Sequence, residues 1–203
     1  ISSGAAPELL ELAESRRLPV ATTLMGLGAF PETHELALGM LGMHGTVTGN
    51  YAVHECDLLI AVGARFDDRV TGKLSAFAPK ARVIHIDVDP AEIGKNVKPM
   101  IPIVGDARHV LAVLSKELES LEWTPQRTAD WWAKLKAWQD EYPLQYEDPA
   151  DGTLAPQYVI EEIDRVTRHE AVVVTDVGQH QMWATQYYTY TRPRHWISSG
   201  GLG

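Results

Sequence analysis

Asp57-Leu58-Leu59-Ile60-Ala61-Val62-Gly63-Ala64-Arg65-Phe66-Asp67-Asp68-Arg69 carries the reading of this chain. The apolar run Leu58 to Val62 ends in a glycine and then in Arg65, Asp67, Asp68 and Arg69. A short apolar run without polar alternation fits a parallel strand covered on both faces, left by a polar turn. The same grammar recurs. The short run Pro19 to Thr23 leads into Leu24-Met25-Gly26-Leu27-Gly28, the run Arg82 to Val88 carries Val83-Ile84-His85-Ile86 into Asp87, and Ile103-Val104 leads into Gly105-Asp106. Helical patterns lie among them. Pro7–Arg17 has Leu9, Leu10, Leu12 and Ala13 at helical spacing, with Pro7 suited to a first turn. Ala107–Leu121 has Val110, Leu111, Val113, Leu114, Leu118 and Leu121 on one side. Strands alternating with helices predict an α/β fold with a parallel sheet flanked by helices.

In open parallel sheets, ligands bind beyond the carboxyl ends of the strands. Four strand ends here carry glycine, for close backbone approach, or charge, for hydrogen bonding. No G-x-G-x-x-G occurs, so a dinucleotide would be held by contacts distributed over several strand ends. Asp87, at a strand tip, suits a ribose 2′- and 3′-hydroxyl pair. Arg65 and Arg69 suit pyrophosphate or flavin oxygens. Arg65, Asp67, Asp68 and Arg69 also read as a self-neutralising surface cluster, and local physics leaves both readings open. The segment Leu41-Gly42-Met43-His44-Gly45-Thr46-Val47-Thr48-Gly49-Asn50 is glycine-rich and poor helix material. It is expected as a loop that lays its backbone along an extended ligand. A lone histidine in such a loop is structural before it is catalytic.

Composition bounds the partners. The 203 residues carry a net charge of −9, with no cluster of Lys and Arg, which argues against a nucleic-acid or anionic-membrane surface. Apolar runs of about five residues fall far short of the roughly 20 that a membrane span needs. The single Cys56 excludes an internal disulfide and a cysteine-based zinc site, and it reads as a packed small residue. The eight histidines form no H-E-x-x-H and no metal-binding spacing. Ile1-Ser2-Ser3-Gly4 lacks the layout of a signal peptide, and a soluble, reducing compartment is the default reading.

Between residues 122 and 155 the character changes. Trp131, Leu135 and Trp138 fall on one face of a helix expected over Asp130–Glu141, with the tryptophans as packing residues. Tyr142-Pro143 through Asp151-Gly152 is linker-like. A second α/β unit follows: a helix over Pro156–Thr167, a strand over Ala171–Thr175, and the polar loop Asp176-Val177-Gly178-Gln179-His180-Gln181, which favours an oxyanion. One strand with one or two helices makes no independent core, so this unit is expected to borrow a sheet from elsewhere. The closing Ser198-Ser199-Gly200-Gly201-Leu202-Gly203 reads as a cut within a longer enzyme.

Leu41-Gly42-Met43-His44-Gly45 followed by Asn50, Gly63-Ala64-Arg65-Phe66-Asp67-Asp68-Arg69-Val70-Thr71-Gly72, and Ile86-Asp87-Val88-Asp89-Pro90-Ala91-Glu92-Ile93-Gly94-Lys95-Asn96 closely resemble the large, catalytic subunits of the acetolactate (acetohydroxyacid) synthase family. Val177-Gly178-Gln179-His180-Gln181-Met182-Trp183-Ala184 and Trp196 to Gly203 continue the match in the same order. The resemblance implies a Rossmann-like central FAD-binding domain over 1–123, a linker helix and loop over 124–150, and the truncated start of the thiamine diphosphate-binding domain over 151–203. The family condenses two pyruvates, or pyruvate with 2-oxobutyrate, with loss of CO₂, in branched-chain amino-acid synthesis. Its cofactors are thiamine diphosphate, Mg²⁺ and FAD, the last performing no net redox in the main reaction.

Carried over residue by residue, the family's FAD contacts fall on Gly4, Thr23, Leu24 and Met25, on Leu41, Gly42, Met43 and His44, and onward to Gly63 and Arg65. Arg69 and the stretch from Asp87 and Val88 to Asp106 complete the set. Gln179 and His180 match positions at the diphosphate of thiamine diphosphate. The family's activating glutamate matches no residue here, and neither does the metal-binding Gly-Asp-Gly…Asn motif. The resemblance therefore implies no catalytic residue and no metal ligand within these residues, and a fragment that is inactive alone. It also implies a homodimer or homotetramer with a small regulatory subunit, and a bacterial cytoplasm or an organelle such as a plastid or mitochondrion. The rival readings are another FAD-containing thiamine-dependent enzyme, of the glyoxylate carboligase or pyruvate oxidase type, and a non-catalytic nucleotide-binding module.

Overall fold

The run that decides the sequence reading is a strand, β3 (Leu58–Val62), paired in parallel register with β4 (Arg82–Asp87), so that Leu58 faces Arg82 and Val62 faces Ile86. β5 (Ile101–Val104) adds to the far side of β4, also parallel. The computed structural model describes residues 1–200; Gly201, Leu202 and Gly203, the end of the terminal glycine run, lie outside the described residues. One face of this sheet is covered by helices α1 (Ala6–Arg16) and α4 (Ala107–Glu119), where Leu12, Ile86 and Leu111 are buried together with Ile60, Val62, Ile84 and Ile103 alongside. The two helices run side by side. Glu8 in the first turn of α1 pairs with Arg108 in the first turn of α4 at 2.7 Å, and Arg16 at the other end donates to the carbonyls of Leu118 and Leu121. The opposite face is covered by a loop rather than a helix, with Phe66, Phe77 and Val97 packed on Ala61 and Val83. β5 is less covered than the expectation of a doubly buried sheet, because it is an edge strand whose Ile101 and Val104 stay exposed.

β1 (Val20–Thr22) pairs with a strand that the sequence reading did not anticipate, β2 (Ala37–Met40), again in parallel. The glycine-rich stretch after β2 corrects the expectation of a loop through Asn50. From Val47 it is already helix α2 (Val47–Glu55), because the Thr46 hydroxyl caps it by accepting from the Gly49 N–H at 2.9 Å. That cap, with Thr48, Ala52 and Val53 buried behind it, outweighs the roughly 1 kcal/mol helix penalty of one glycine. A short helix, α3 (Asp68–Thr71), follows β3, and α5 (Gln126–Glu141) begins a turn before the expected start. Its Trp131, Trp132 and Trp138 pack on Leu38, Ala52 and Leu135, as packing residues should. Cys56 donates to the Val53 carbonyl, and burial, with Asp57 adjacent, pushes its thiol up to about 11, the state of an unreactive packed residue.

The second unit holds α6 (Pro156–Thr167), β6 (Val173–Thr175), α7 (Gln179–Tyr187) and β7 (Trp196–Ser198), with β6 and β7 parallel. Here too the expected polar loop is shorter than read, since Gln179 to Gln181 are the first turn of α7. Against the expectation of a borrowed sheet, the unit pairs its own two strands, because Trp196–Ser198 returns alongside β6, and what the first unit supplies is core. Ala184, Tyr188, Tyr190 and Trp196 pack with Leu27 and Met40, and Leu24 lies against them. At the seam the Glu32 N–H donates to the Tyr190 carbonyl at 3.0 Å, and the Tyr190 N–H donates back to the Glu32 carboxylate at 2.7 Å.

Burial raises the Glu32 carboxyl to about 7, against the Tyr190 hydrogen bond and with Asp164 adding to the rise. The folded state thus favours the protonated acid. Its contribution is fully present below the ordinary value of 4.5 and is lost as pH climbs through about 7. Glu32→Gln, which keeps an acceptor for Tyr190, is expected to stabilise the chain above pH 7 by about 2–3 kcal/mol in urea unfolding, with the gain vanishing in acid. An equal gain at both ends of the pH range would contradict the shifted carboxyl.

Candidate functional site

Because β1 to β5 pair only in parallel, the loops that leave them emerge at the carboxyl edges of their sheets. The two sheets are joined at that edge. The Met43 N–H donates to the Arg69 carbonyl at 2.8 Å, and the Arg69 guanidinium lies 3.8 Å from the Met43 sulfur. Gly42 makes the junction feasible. At φ +105° it packs so closely on Arg69 that a Cβ there would stand 2.7 Å from the Arg69 carbonyl oxygen. Its position is locked by Asn50, whose side-chain amide accepts from the Gly42 N–H and donates to the Gly42 carbonyl, both at 2.9 Å.

After β1, Thr23 is extended and Leu24–Gly26 form a 3₁₀ turn that packs a half-buried Leu24 against the shared core and leaves Met25 exposed. After β2, the Leu41 N–H donates to the Thr22 carbonyl, while Met43 and His44 face outward. After β3, Gly63 bonds the Ile86 carbonyl, and the chain then turns through Phe66, a buried non-glycine residue at φ +53°. That conformation is unfavourable and survives only when its surroundings over-determine it. They do so here. Phe66 stands edge-on to His85 at 5.0 Å, His85 Nε2 bonds the Ala64 carbonyl, and Asn96 donates to the carbonyls of Arg65 and Phe66 at 3.0 and 2.9 Å. The result is an Arg65 whose backbone is fixed and whose head is 68% exposed, with only a 3.5 Å approach to Asp67. Asp67 is otherwise occupied in capping α3 through the Val70 N–H.

After β4, Asp87 is half-buried, one oxygen accepting from the Asp89 N–H at 2.9 Å, and Val88 is exposed. After β5, Asp106 is the cap of α4, accepting from the N–H groups of Arg108 and His109. Its side chain therefore serves the helix, and what the edge offers there is the helix start. Gly4 sits just before α1, whose first turn lies beside that of α4 through the Glu8–Arg108 pair, which holds the Glu8 carboxyl below its ordinary value. The edge thus combines exposed apolar side chains (Met25, Met43 and Val88), the two guanidinium groups of Arg65 and Arg69, and a strand-tip carboxylate. That donor set fits a flavin dinucleotide: an apolar surface for a ring system, cations for a pyrophosphate and an acceptor for ribose hydroxyls.

Gln179 and His180 lie apart from this edge, exposed in the first turn of α7 beyond β6. Gly178 supplies no side-chain cap, so the first N–H groups of α7 are available to an anion. The Thr175 hydroxyl at the end of β6 is buried without a partner. Gln181 is fully buried, donates to the Ser198 hydroxyl at 2.6 Å and the Gly200 carbonyl at 3.0 Å, and has an unpartnered carbonyl oxygen. This end fits a diphosphate. Among the described residues no group of three or more His, Cys, Asp or Glu comes together to hold a metal ion.

Asn50, Asn96, His85 and Gln186 position these loops; the sequence carries Asn50 and Asn96 only as members of the resembling motifs, His85 only as part of a strand, and Gln186 in none of them. Asn50 and Asn96 each follow a glycine closely, a turn chemistry that signals backbone bonding. Gln186 reaches the His44 carbonyl from 142 positions away, and nothing local announces it.

Residues 1–114 match the family model for the thiamine pyrophosphate enzyme central domain, more than half of the chain. The chain belongs to the thiamine pyrophosphate enzyme family. Residues 176–203 match the C-terminal TPP binding domain of thiamine pyrophosphate enzymes, the stretch that opens on Asp176 and α7. The chain is 52% identical over 204 residues to an acetolactate synthase of Mycobacterium leprae, covering all of this chain and 33% of that protein. It is 54% identical over 203 residues to an acetolactate synthase large subunit of Parasynechococcus marenigrum, covering all of this chain and 32% of that protein. It is 51% identical over 202 residues to a chloroplastic acetolactate synthase of Oryza sativa subsp. japonica, covering 99% of this chain and 31% of that protein. The chain therefore spans about a third of the length of the curated relatives it matches. Among the described residues no helix is long and apolar enough to cross a membrane.

Proposed function

We propose that these residues are the part of an acetolactate synthase catalytic subunit that carries the FAD site and one side of the thiamine diphosphate site. The observation that carries this reading is identity of 51–54% to acetolactate synthases over essentially the whole chain, with the resembling motifs lying on strand-end loops. FAD would lie along the edge built by Gly4, Thr23–Met25, Leu41–His44, Gly63, Arg65, Arg69, Asp87, Val88 and Asp106. Arg65 and Arg69 neutralise its pyrophosphate, Asp87 accepts from its ribose, and the start of α4 behind Asp106 favours negative charge. Gln179, His180 and the uncapped first turn of α7 hold diphosphate oxygens.

Thiamine diphosphate, when bound, supplies the carbanion chemistry that joins two pyruvates, or pyruvate and 2-oxobutyrate, with loss of CO₂. This chain's share of that work is binding and orientation. Mg²⁺ and the activating carboxylate belong to regions of the subunit outside these residues. On this reading residues 1–123 are the central domain, 124–150 the linker and 151–203 the first part of the diphosphate-binding domain. The whole enzyme is a homodimer or homotetramer with a small regulatory subunit, working in a bacterial cytoplasm or in a plastid or mitochondrion.

Grafting residues 1–203 into the Mycobacterium leprae relative, in place of the matching third, is the test. The graft should form acetolactate from pyruvate with thiamine diphosphate, Mg²⁺ and FAD, while the 203-residue chain alone forms none above a protein-free control. A folded graft working at under about a hundredth of the parent's rate would overturn the reading, since that loss is some 2.7 kcal/mol of transition-state stabilisation.

A further inference from the structure

Helix α7 touches both candidate sites. Its first turn carries Gln179 and His180 beside the uncapped Gly178. Seven residues on, roughly 10 Å along the helix, the Gln186 side-chain amide donates to the His44 carbonyl at 3.0 Å, within the loop after β2. The same half of α7 is seated on the neighbouring loop, with Ala184 packed among Leu27, Met40 and Leu24. Its beginning is seated on the second unit, with the buried Gln181 donating to Ser198 and Gly200. No proline or glycine interrupts Gln179–Tyr187, so the helix has no hinge at which a displacement would be absorbed.

We propose that α7 couples the two cofactor sites and that Gln186 is its positioning residue: a flavin bound against the Leu41–His44 loop restrains, through the His44 carbonyl, Gln186 and the helix, the first turn that receives the diphosphate. The inference rests on the reading of the two sites given above. The energetic argument is that whichever ligand binds first meets the cost of ordering the shared helix, and the second binds to an element already ordered. Such coupling is reciprocal in binding free energy. The Glu32–Tyr190 tie also joins the two units but ends on neither candidate loop, so it holds them together without transmitting occupancy.

The test follows amide hydrogen exchange in residues 181–185 of the 203-residue chain with and without FAD, with binding itself read by flavin fluorescence. FAD is expected to slow exchange there by about tenfold in the unaltered chain. Gln186→Ala, and Gln186→Glu, which keeps the size but cannot donate, should still bind FAD within about tenfold of the unaltered affinity. In both, FAD should slow exchange in α7 by less than about twofold. A Gln186 that merely stabilises the fold would lower stability in the variants while FAD-dependent protection survives, and that result overturns the proposal. FAD binding that leaves α7 exchange unchanged in the unaltered chain overturns it too, and leaves the flavin site standing. Absence of FAD binding takes down the site reading and the coupling together.

Discussion

Replacing Gly28 by alanine is expected to separate the two α/β units, at a cost of about 3 kcal/mol or more. Gly28 sits at φ +76°, and a Cβ on it would lie on the Arg192 carbonyl oxygen and 2.8 Å from the Arg192 carbonyl carbon. Both obstacles are backbone, and that backbone has little freedom to retreat. Two residues earlier, Tyr190 is fully buried and held at both its N–H and its carbonyl by Glu32. Relief therefore requires opening the seam and exposing the cluster of Leu27, Tyr188, Tyr190 and Trp196. Hydrogen exchange at Val173 and Val174 should accelerate sharply, with a lowered urea midpoint. Gly72→Ala is the control. It shares a positive φ of +55°, with ψ −124°, a conformation that L residues rarely adopt, but a Cβ there meets nothing within 4 Å. Its cost is therefore confined to local backbone strain of about 1–3 kcal/mol and should leave exchange at Val173 and Val174 unchanged. Equal losses in the two variants would mean that the close approach at Gly28 carries no weight.

The seam at Gly28 also marks where the sequence stops being legible. β3, β4 and α4 are readable because each declares itself locally, through an unbroken apolar run or through the Asp106 cap ahead of a one-sided helix. β2 and β7 do not. Ala37-Leu38-Gly39-Met40 and Trp196-Ile197-Ser198 are too short and mixed to show a period, and they become strands only by pairing with β1 and β6. α7 is hidden for a related reason. Its sequence, Gln179 to Tyr187, has little one-sidedness, because it is buried by contacts from both units and not by one sheet. The candidate site divides along the same line. Arg65, Asp87 and the glycine loop are recognisable by residue type at strand ends, where local physics alone left Arg65 between a ligand contact and a surface ion pair. The structure shows both the weak pair to Asp67 and the pinned backbone beneath it. The side chains that pin the loops, Asn50 and Asn96, have faint signals, and the Gln186 tie has none, since its partner is fixed only by the tertiary fold.

On the proposed flavin site, Arg65→Ala and Asp87→Ala should each weaken FAD binding by roughly tenfold to a hundredfold, the worth of one charge-assisted hydrogen bond at about 1.5–3 kcal/mol. Arg65 is the cleaner of the two. Asn96 holds its loop through the Arg65 and Phe66 carbonyls, and these contacts survive removal of the guanidinium. Asp87 also organises its own turn by accepting from the Asp89 N–H, so Asp87→Asn, which can keep that bond, separates the charge from the turn. Asp68→Ala, on the exposed start of α3, should change affinity by less than about threefold. Asp67 is unsuitable as a control because it caps that helix, and its loss would disturb the loop for about 1 kcal/mol irrespective of flavin. Fluorescence titration at two ionic strengths adds a second criterion. The Arg65 contribution should shrink as salt rises, since its head is open to solvent, whereas a ribose hydrogen bond to the half-buried Asp87 should be less sensitive. If Asp68→Ala proved the most damaging change and Asp87→Asn were neutral, the ribose would have to lie elsewhere along the edge, and the dinucleotide would run across these strand ends in another register.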